Sequence, residues 1–442
     1  MECQPCVSPR RRARVMNIQQ LKAKRLGETL WTAQSSSGVQ IAVTPKKGFS
    51  SAAGHFGLRY GSTDTDFHVD GKTIRVPDGS AHFLEHKLFE GREEKVFDRF
   101  GKLGADFNGG TGFRSTTYWF VSAGHFEECL DILLDFVQRP LITEERVEKE
   151  KGIIEQEVRM YEDNPHFRGL FLLHRALFQQ HPIRIPPGGS VEAVQATTAA
   201  QLQTCWDAFY RPENLRLSLA GDLDPEKIFA YVEDRLISSQ NQIEVVRELV
   251  QEPSTPHQAW AEEEFPVMRP QVRIGWRDKA GCGLGRPLLE RQVLTSLALD
   301  LALGDAAPLH QELYEKEVVD ETFHTGFSGD SDYSYALIGG QTDHPESFVE
   351  GVRSALARFL EEGPRAQDLE RVRRSAWGNL VSGLQTPQAL ASSVLSAQLM
   401  EQRPFEVLDI LDSVTAGTIH SRAHELFQDE HSSVAVLKPQ SA

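Results

Sequence analysis

The feature that most constrains this chain is an internal echo. The strand-like "GHFGLRYGS" (54–62) is answered by "PQVRIGWRD" (270–278), and the hairpin pattern "ADFNGGTGFRSTTYWFVSA" (105–123) by "DETFHTGFSGDSDYSYALIGG" (320–340). The amphipathic run "CLDILLDFVQRPLITEERVEKEKG" is likewise answered by "FVEGVRSALARFLEEGPRAQDLERVRRS", and at an offset of 222 Val147 meets Leu369 and Glu148 meets Glu370. Ordered self-similarity of this kind predicts a duplicated domain. Each copy alternates with period two before switching to helical periodicity, so the expected class is α+β. Each copy should form a mainly antiparallel sheet with helices packed on one face.

A length of 442 residues agrees, since it exceeds what one ordinary core supports. The expected division is a basic, disordered tail over 1–16, a first unit over 17–240, a linker over 241–264 around "VQEPSTPHQAWAEEE", and a second unit over 265–442. The first fifteen residues, "MECQPCVSPRRRARV", join a CxxC to a run of arginines. No apolar segment follows, so a secretory signal is not expected; the Cys3 and Cys6 pair suits half of a zinc ribbon or a redox site, but no second CxxC exists and no strand leads into it.

No apolar run approaches the roughly 20 residues of a membrane span. The formal charge of −16, with no basic stripe, argues against nucleic acid and acidic lipid as partners. It suits an acidic chamber receiving basic or neutral peptides, and an ordinary solvated surface equally well. Five scattered cysteines form no disulfide framework, which points to a reducing, cytoplasmic setting.

Chemistry concentrates in "SAHFLEHKLFEG" (80–91), where His82, Glu85 and His86 fall at i, i+3 and i+4 of a helix whose other positions are largely apolar. Titratable groups on a buried face need partners. Two histidines one turn apart can present their nitrogens to one zinc ion, and Glu85 stands at the height to take a proton from water held there. A catalytic zinc keeps three protein ligands. The charged helix "LITEERVEKEKGIIEQEVRMYEDNP", with Thr143 as N-cap, supplies carboxylates; Glu150 and Glu157 lie seven residues apart and share a face. Ile153, Ile154 and Val158 around Glu157 suit a buried ligand, and Glu150 stands where it can hydrogen-bond a ligating histidine. Spacing alone leaves Glu155 open beside Glu157.

These residues resemble the HxxEH zinc peptidases of the pitrilysin and insulin-degrading-enzyme family, the inverzincins, most closely short bacterial members of processing-peptidase type. The likeness extends over "GLRYGSTDTDF", "GADFNGGTGFRSTTYWF", "EKEKGIIEQEVRMYEDNP" and "PENLRLSLAGDLDP", strongly across about 17–235. It implies a zinc metallopeptidase with His82, His86 and Glu157 as ligands, Glu85 as catalytic base and Glu150 in support. It also implies that Asn108 lies beside an edge strand on which extended peptides bind by strand addition.

Active members clamp substrate with an arginine and a tyrosine seven residues apart in the second half, and this chain has no tyrosine after Tyr335. Positions 150 and 157 recur as Val372 and Asn379, and "LTSLALDLALG" carries no HxxEH, so no second metal site of this kind is expected. By the resemblance, a homologous zinc-less subunit would supply the clamp in a heterodimer, with a homodimer as the other arrangement. The competing reading is a non-enzymatic, core-protein-like subunit for assembly or peptide binding.

Overall fold

A computed structural model of the chain describes residues 16–238, 243–253, 255–278 and 283–440. The tail expected over 1–16, with Cys3 and Cys6, lies outside the described residues apart from Met16.

The first half opens with strands β1 (Gln19–Ala23), β2 (Glu28–Gln34), β3 (Gln40–Pro45) and β4 (Ala52–Leu58), then a short hairpin β5 (Asp66–Val69) and β6 (Lys72–Arg75). Helices α1 (Ser80–Phe89) and α2 (Val96–Lys102) lead into the hairpin β7 (Asp106–Thr111) and β8 (Thr116–Ser122). Helices α3 (Phe126–Gln138), α4 (Glu144–Glu162), α5 (Pro165–Leu177), α6 (Val191–Ala196) and α7 (Ala199–Phe209) precede β9 (Leu215–Gly221) and α8 (Pro225–Glu233).

The second half runs β10 (Val245–Arg247), β11 (Trp260–Phe265), β12 (Gln271–Arg277), α9 (Arg286–Leu303), α10 (Pro308–Glu315), β13 (His324–Gly329) and β14 (Ser334–Gln341). It continues with α11 (Pro345–Glu362), α12 (Ala366–Ser382), α13 (Pro387–Leu399), α14 (Val407–Ser413), α15 (Ala416–Leu426) and β15 (Ser432–Pro439).

The duplication is explicit in the sheets. The first sheet has the order β1-β2-β3-β9-β4-β8-β7 and the second β11-β15-β12-β14-β13. Dropping β1 and β2, the orders correspond strand for strand. Each sheet carries one parallel pair, β3 with β9 and β11 with β15, and is otherwise antiparallel. The fold is therefore α+β with two related sheets. The offset of 222 holds where α4 and α12 begin, at Glu144 and Ala366, and shortens by a few residues at the strands.

The expected linker needs correcting. The stretch 241–264 is not a bare linker: Val245–Arg247 pairs with β5, and Trp260–Phe265 is the parallel partner of β15. Of the glycines in "NGGTG", Gly112 alone belongs to the hairpin turn. Gly109 and Gly110 pair within the ladder, and the chain reverses at 112–115, where the Gly112 N–H donates to the Ser115 carbonyl. Helices from the opposite half also cover the second face of a sheet.

The reason lies in β4, "AAGHFGL", which is buried at every residue. A strand without a polar face needs cover on both sides. The first sheet's own helices, including α1, α3 and α7, bury one side in a core containing Phe56, Leu84, Leu133 and Leu217. Its other side is covered by α13 from the second half, whose Leu390, Ala391 and Val394 pack on Ala53, Ala220, Leu30 and Ala42. Reciprocally, α5 of the first half lies on the second sheet, with Leu173, Ala176 and Leu177 packed with Ala435 and Leu437. Small residues permit the approach: a Cβ on Gly275 would lie 2.6 Å from Leu177 Cδ1. The tips of the two hairpins also meet, where buried Arg114 pairs with Asp64 at 2.6 Å and with Asp332.

His55 sits in β4 with its ring stacked on Trp119, 6.0 Å between centroids, and its Nε2 buried without a hydrogen-bond partner. Burial pushes its pKa from the usual 6.5 down to about 4. The folded ring stays neutral where the unfolded chain takes up a proton, so its contribution is whole above pH 6.5 and is lost as the pH falls toward 4. We expect His55→Phe, which keeps the stack, to remove about 1.4 kcal/mol per pH unit from the slope of urea stability between pH 6 and pH 5, measured against wild type.

Candidate active site

Helix α1 begins where the chain folds back on itself. Gly79 has φ +84° and Gly189 φ +73°; a Cβ on Gly79 would lie 2.3 Å from the Gly188 carbonyl oxygen, and one on Gly189 2.4 Å from that of Asp78. The loop 185–189 and the start of α1 therefore clasp backbone to backbone, a contact glycine alone permits. Behind the clasp α1 is held by Phe83, Leu84 and Leu88 in the first core. Helix α4, whose N-cap Thr143 accepts a hydrogen bond from Arg146 N–H, runs alongside with Val147, Ile154 and Val158 buried.

This packing brings together His82, His86 and Glu157, with one ligand atom of each within 4.8 Å of the others. His82 Nε2 lies 3.5 Å and His86 Nε2 3.2 Å from Glu157 Oε2. A tetrahedral zinc with ligands at about 2.0–2.1 Å separates its ligand atoms by about 3.3 Å, so the spacing and the N,N,O chemistry of this set fit the ion. Apart from that 3.5 Å approach to Glu157, His82 Nε2 is buried with no hydrogen-bond partner, a nitrogen left facing the gap.

Glu150 stands at 3.2 Å from His86 Nδ1. An ionised carboxylate only accepts, so His86 Nδ1 keeps a proton and Nε2 is the nitrogen that faces the cleft. Glu155, the alternative to Glu157, instead pairs with Arg159 at 2.8 Å on the exposed side.

The electrostatics of the cluster favour positive charge. Burial lowers the affinity of both imidazoles for protons, but Glu157 and Glu85 beside His82, and Glu150 and Glu157 beside His86, outweigh it. His82 is raised above its ordinary value and His86 to about 9. The two imidazoles beside it, His82 first and then His86, hold Glu157 well below the usual carboxylate range. Burial opposes ionisation of Glu150, yet its contacts with His86 and Lys87 hold it low as well.

Glu85 is buried, with Oε2 at 3.7 Å from His82 Nδ1. Three neighbours of this cluster escape a reading of the sequence. Thr111 donates from Oγ1 to Glu85 Oε2 at 2.7 Å. Gly109 leaves room for the base: a Cβ there would lie 2.6 Å from the Phe89 ring and 3.1 Å from Glu85 Oε1. Lys87, with no exposed side-chain area, donates to the Arg146 carbonyl at 2.8 Å and to Glu150 at 3.2 Å. A lysine inside an apolar helix is itself a sequence signal, since a buried ammonium demands acidic partners.

The cluster opens on a cleft of about 820 Å³ that also takes in Asn108, Ile153, Tyr161 and Phe167. Asn108 lies within β7 rather than beside it, and β7 is the edge of its sheet. With the Gly112 to Ser115 bond closing the hairpin, antiparallel alternation turns the N–H and C=O groups of Phe107, Gly109 and Thr111 away from β8. The Asn108 side chain answers one of them, its Oδ1 accepting from Gly109 N–H at 2.8 Å. Among the described residues no helix is long and apolar enough to cross a membrane.

A duplicated α+β chain with an inverted HxxEH helix and a glutamate on a neighbouring helix defines a class of peptidase folds, and comparison gives the family. The model of the insulinase family (peptidase family M16) matches residues 76–187, and that of the peptidase M16 inactive domain matches residues 196–376. The chain belongs to this family. It is 35% identical over 428 residues to YmfH of Bacillus subtilis (strain 168), described as an uncharacterized zinc protease, covering 96% of this chain and all of that one. A crystal structure of an M16-like peptidase from Alicyclobacillus acidocaldarius superposes with a TM-score of 0.90 at 32% identity, covering 97% of this chain and 100% of that chain. Pitrilysin shares the fold at a TM-score of 0.77 and 14% identity, over 96% of this chain and 47% of its own.

Proposed function

We propose that the chain is a zinc-dependent peptidase that cleaves extended peptides laid along β7. The observation that carries the proposal is the convergence of His82, His86 and Glu157 on one gap, with the Glu85 carboxylate beside it. Zinc held by those three residues would polarise the scissile carbonyl and lower the pKa of a water toward about 7. The relatives named as zinc proteases support that choice of ion.

Each remaining task falls to a residue of the chain. Thr111 occupies Glu85 Oε2, which leaves Oε1 as the acceptor for a proton from the attacking water. Glu85 then returns that proton to the departing amine. Glu150 keeps His86 in the tautomer that presents Nε2. The outward backbone groups of Phe107 and Thr111 and the Gly109 carbonyl pair with the peptide main chain, while Asn108 holds the Gly109 N–H. Backbone pairing tolerates many sequences.

The metal-bearing unit is read as 17–240, followed by a non-catalytic repeat. With no tyrosine after Tyr335, the arginine–tyrosine clamp of active family members is assigned to a homologous zinc-less subunit in a cytoplasmic heterodimer. The arrangement around Glu85 weighs against a purely structural subunit, which has no use for a buried base held by Thr111.

The test is cleavage of unstructured peptides by the chain alone and mixed with a zinc-less relative, with and without chelator. Chelator-sensitive cleavage only in the mixture is the expected result. Full activity of the chain alone would overturn the partner, and zinc-loaded protein inert in both settings would overturn the peptidase.

Gly109→Ala probes the geometry more finely. Its methyl group must displace Phe89 or Glu85, so kcat/KM should fall by about 10²-fold, with metal content unchanged.

A further inference from the structure

Away from the cleft, two more histidines stand at i and i+4. His420 and His424 lie on α15, their ring centroids 4.5 Å apart at 62°, close to the 4.7 Å and 62° of His82 and His86. Their Nε2 atoms are 3.2 Å apart, and both face one backbone oxygen: the Leu360 carbonyl lies 2.7 Å from His420 Nε2 and 3.1 Å from His424 Nε2.

The oxygen is available for a reason written in the sequence. Leu360 is in the last turn of α11, and the residue four places on is Pro364, which has no N–H to give it. The N–H of Gly363, one residue nearer, is taken by the Phe359 carbonyl. The Leu360 carbonyl is thus an orphan at the negative end of the helix dipole.

Hydrogen bonding can occupy both rings, because the carbonyl oxygen has two lone pairs and can accept from each Nε2–H. The same three atoms serve a second purpose. With their protons lost, two imidazole nitrogens and an oxygen spaced 2.7–3.2 Å apart approach one face of a divalent ion's coordination shell, open to solvent on the His424 side.

We propose that His420 Nε2, His424 Nε2 and the Leu360 carbonyl form a second metal site, which holds one transition-metal ion of the imidazole-preferring group and ties the end of α11 to α15. Water completes the shell, since the His424 side is exposed. Cu²⁺ is the strongest probe, being highest in the Irving–Williams order. The site stands or falls independently of the proposed peptidase activity.

The experiment uses the full chain carrying His82→Gln and His86→Gln, so that the cleft cluster no longer competes. Titration with Cu²⁺, followed by electron paramagnetic resonance, should show one ion per chain coupled to two imidazole nitrogens. His424→Gln, at an exposed position, should weaken that binding by at least about tenfold while the melting temperature in chelator stays at the parent value. Pro364→Ala, which returns an N–H to compete for the Leu360 oxygen, should weaken it too. Copper binding that His424→Gln leaves unchanged, or a spectrum with no imidazole coupling in the parent, would reduce the pair to a hydrogen-bonded helix cap and overturn the proposal.

Discussion

Glu85→Gln will lower kcat for peptide cleavage by about 10³-fold, the range a positioned proton-transfer group contributes, and will leave zinc content and melting temperature unchanged. The amide is nearly isosteric and still accepts the Thr111 hydrogen bond at one oxygen, so the packing of α1 against β7 has no reason to change. What it loses is the ability to receive a proton from water and return it to an amine. The result is read by single-turnover cleavage in the preparation that is active as wild type, with metal measured on the same sample. A variant that keeps more than a tenth of wild-type kcat would remove Glu85 from the role of base. A variant that loses its zinc would show that Glu85 acts through the metal set and not on the proton.

The second large effect is on stability, and its cause lies in the other half of the molecule from its consequence. Val394 on α13 is buried with Leu30 and Ala42 of the first sheet. Val394→Asp forces a carboxylate beneath that sheet with no cation among the buried residues of this contact, at an expected cost of several kcal/mol. Ser396→Asp, at an exposed position on the same helix, should change stability by less than about 0.5 kcal/mol. Hydrogen exchange distinguishes this from general damage: protection should fall first in β3, β4 and β9, although the substitution sits more than 170 residues downstream of them. Loss confined to the second sheet would mean that α13 does not stabilise the first.

The parts of this molecule that could be read from its sequence are those whose causes are local. His82, Glu85 and His86 share a helix face because of their spacing, and Glu150 and Glu157 share another seven residues apart. Residue periodicity fixes both facts, and the two faces do meet. The duplication was legible as well, because each repeat must bury the same alternating faces, although the order of the strands was not.

Thr111 was hidden because its importance depends on which strand becomes an edge and how that edge lies against α1, a question of topology. Gly109 is hidden for the same reason, since what it provides is tertiary clearance for Phe89. The exchange of α5 and α13 left only an indirect trace: β4 has no polar face, so something had to cover both sides, but nothing in its seven residues says what.

That exchange has a consequence for the living chain. A ribosome finishes the seven strands of the first sheet at Gly221, but α13 begins only at Pro387. At about 5–20 residues per second the gap lasts on the order of ten to thirty seconds. Through that interval the nascent first half holds an apolar sheet face with nothing yet made to cover it, and α5 waits for a second sheet that has not been translated. Delay or pausing between residues 221 and 387 is where this chain is most exposed to aggregation and to capture by chaperones.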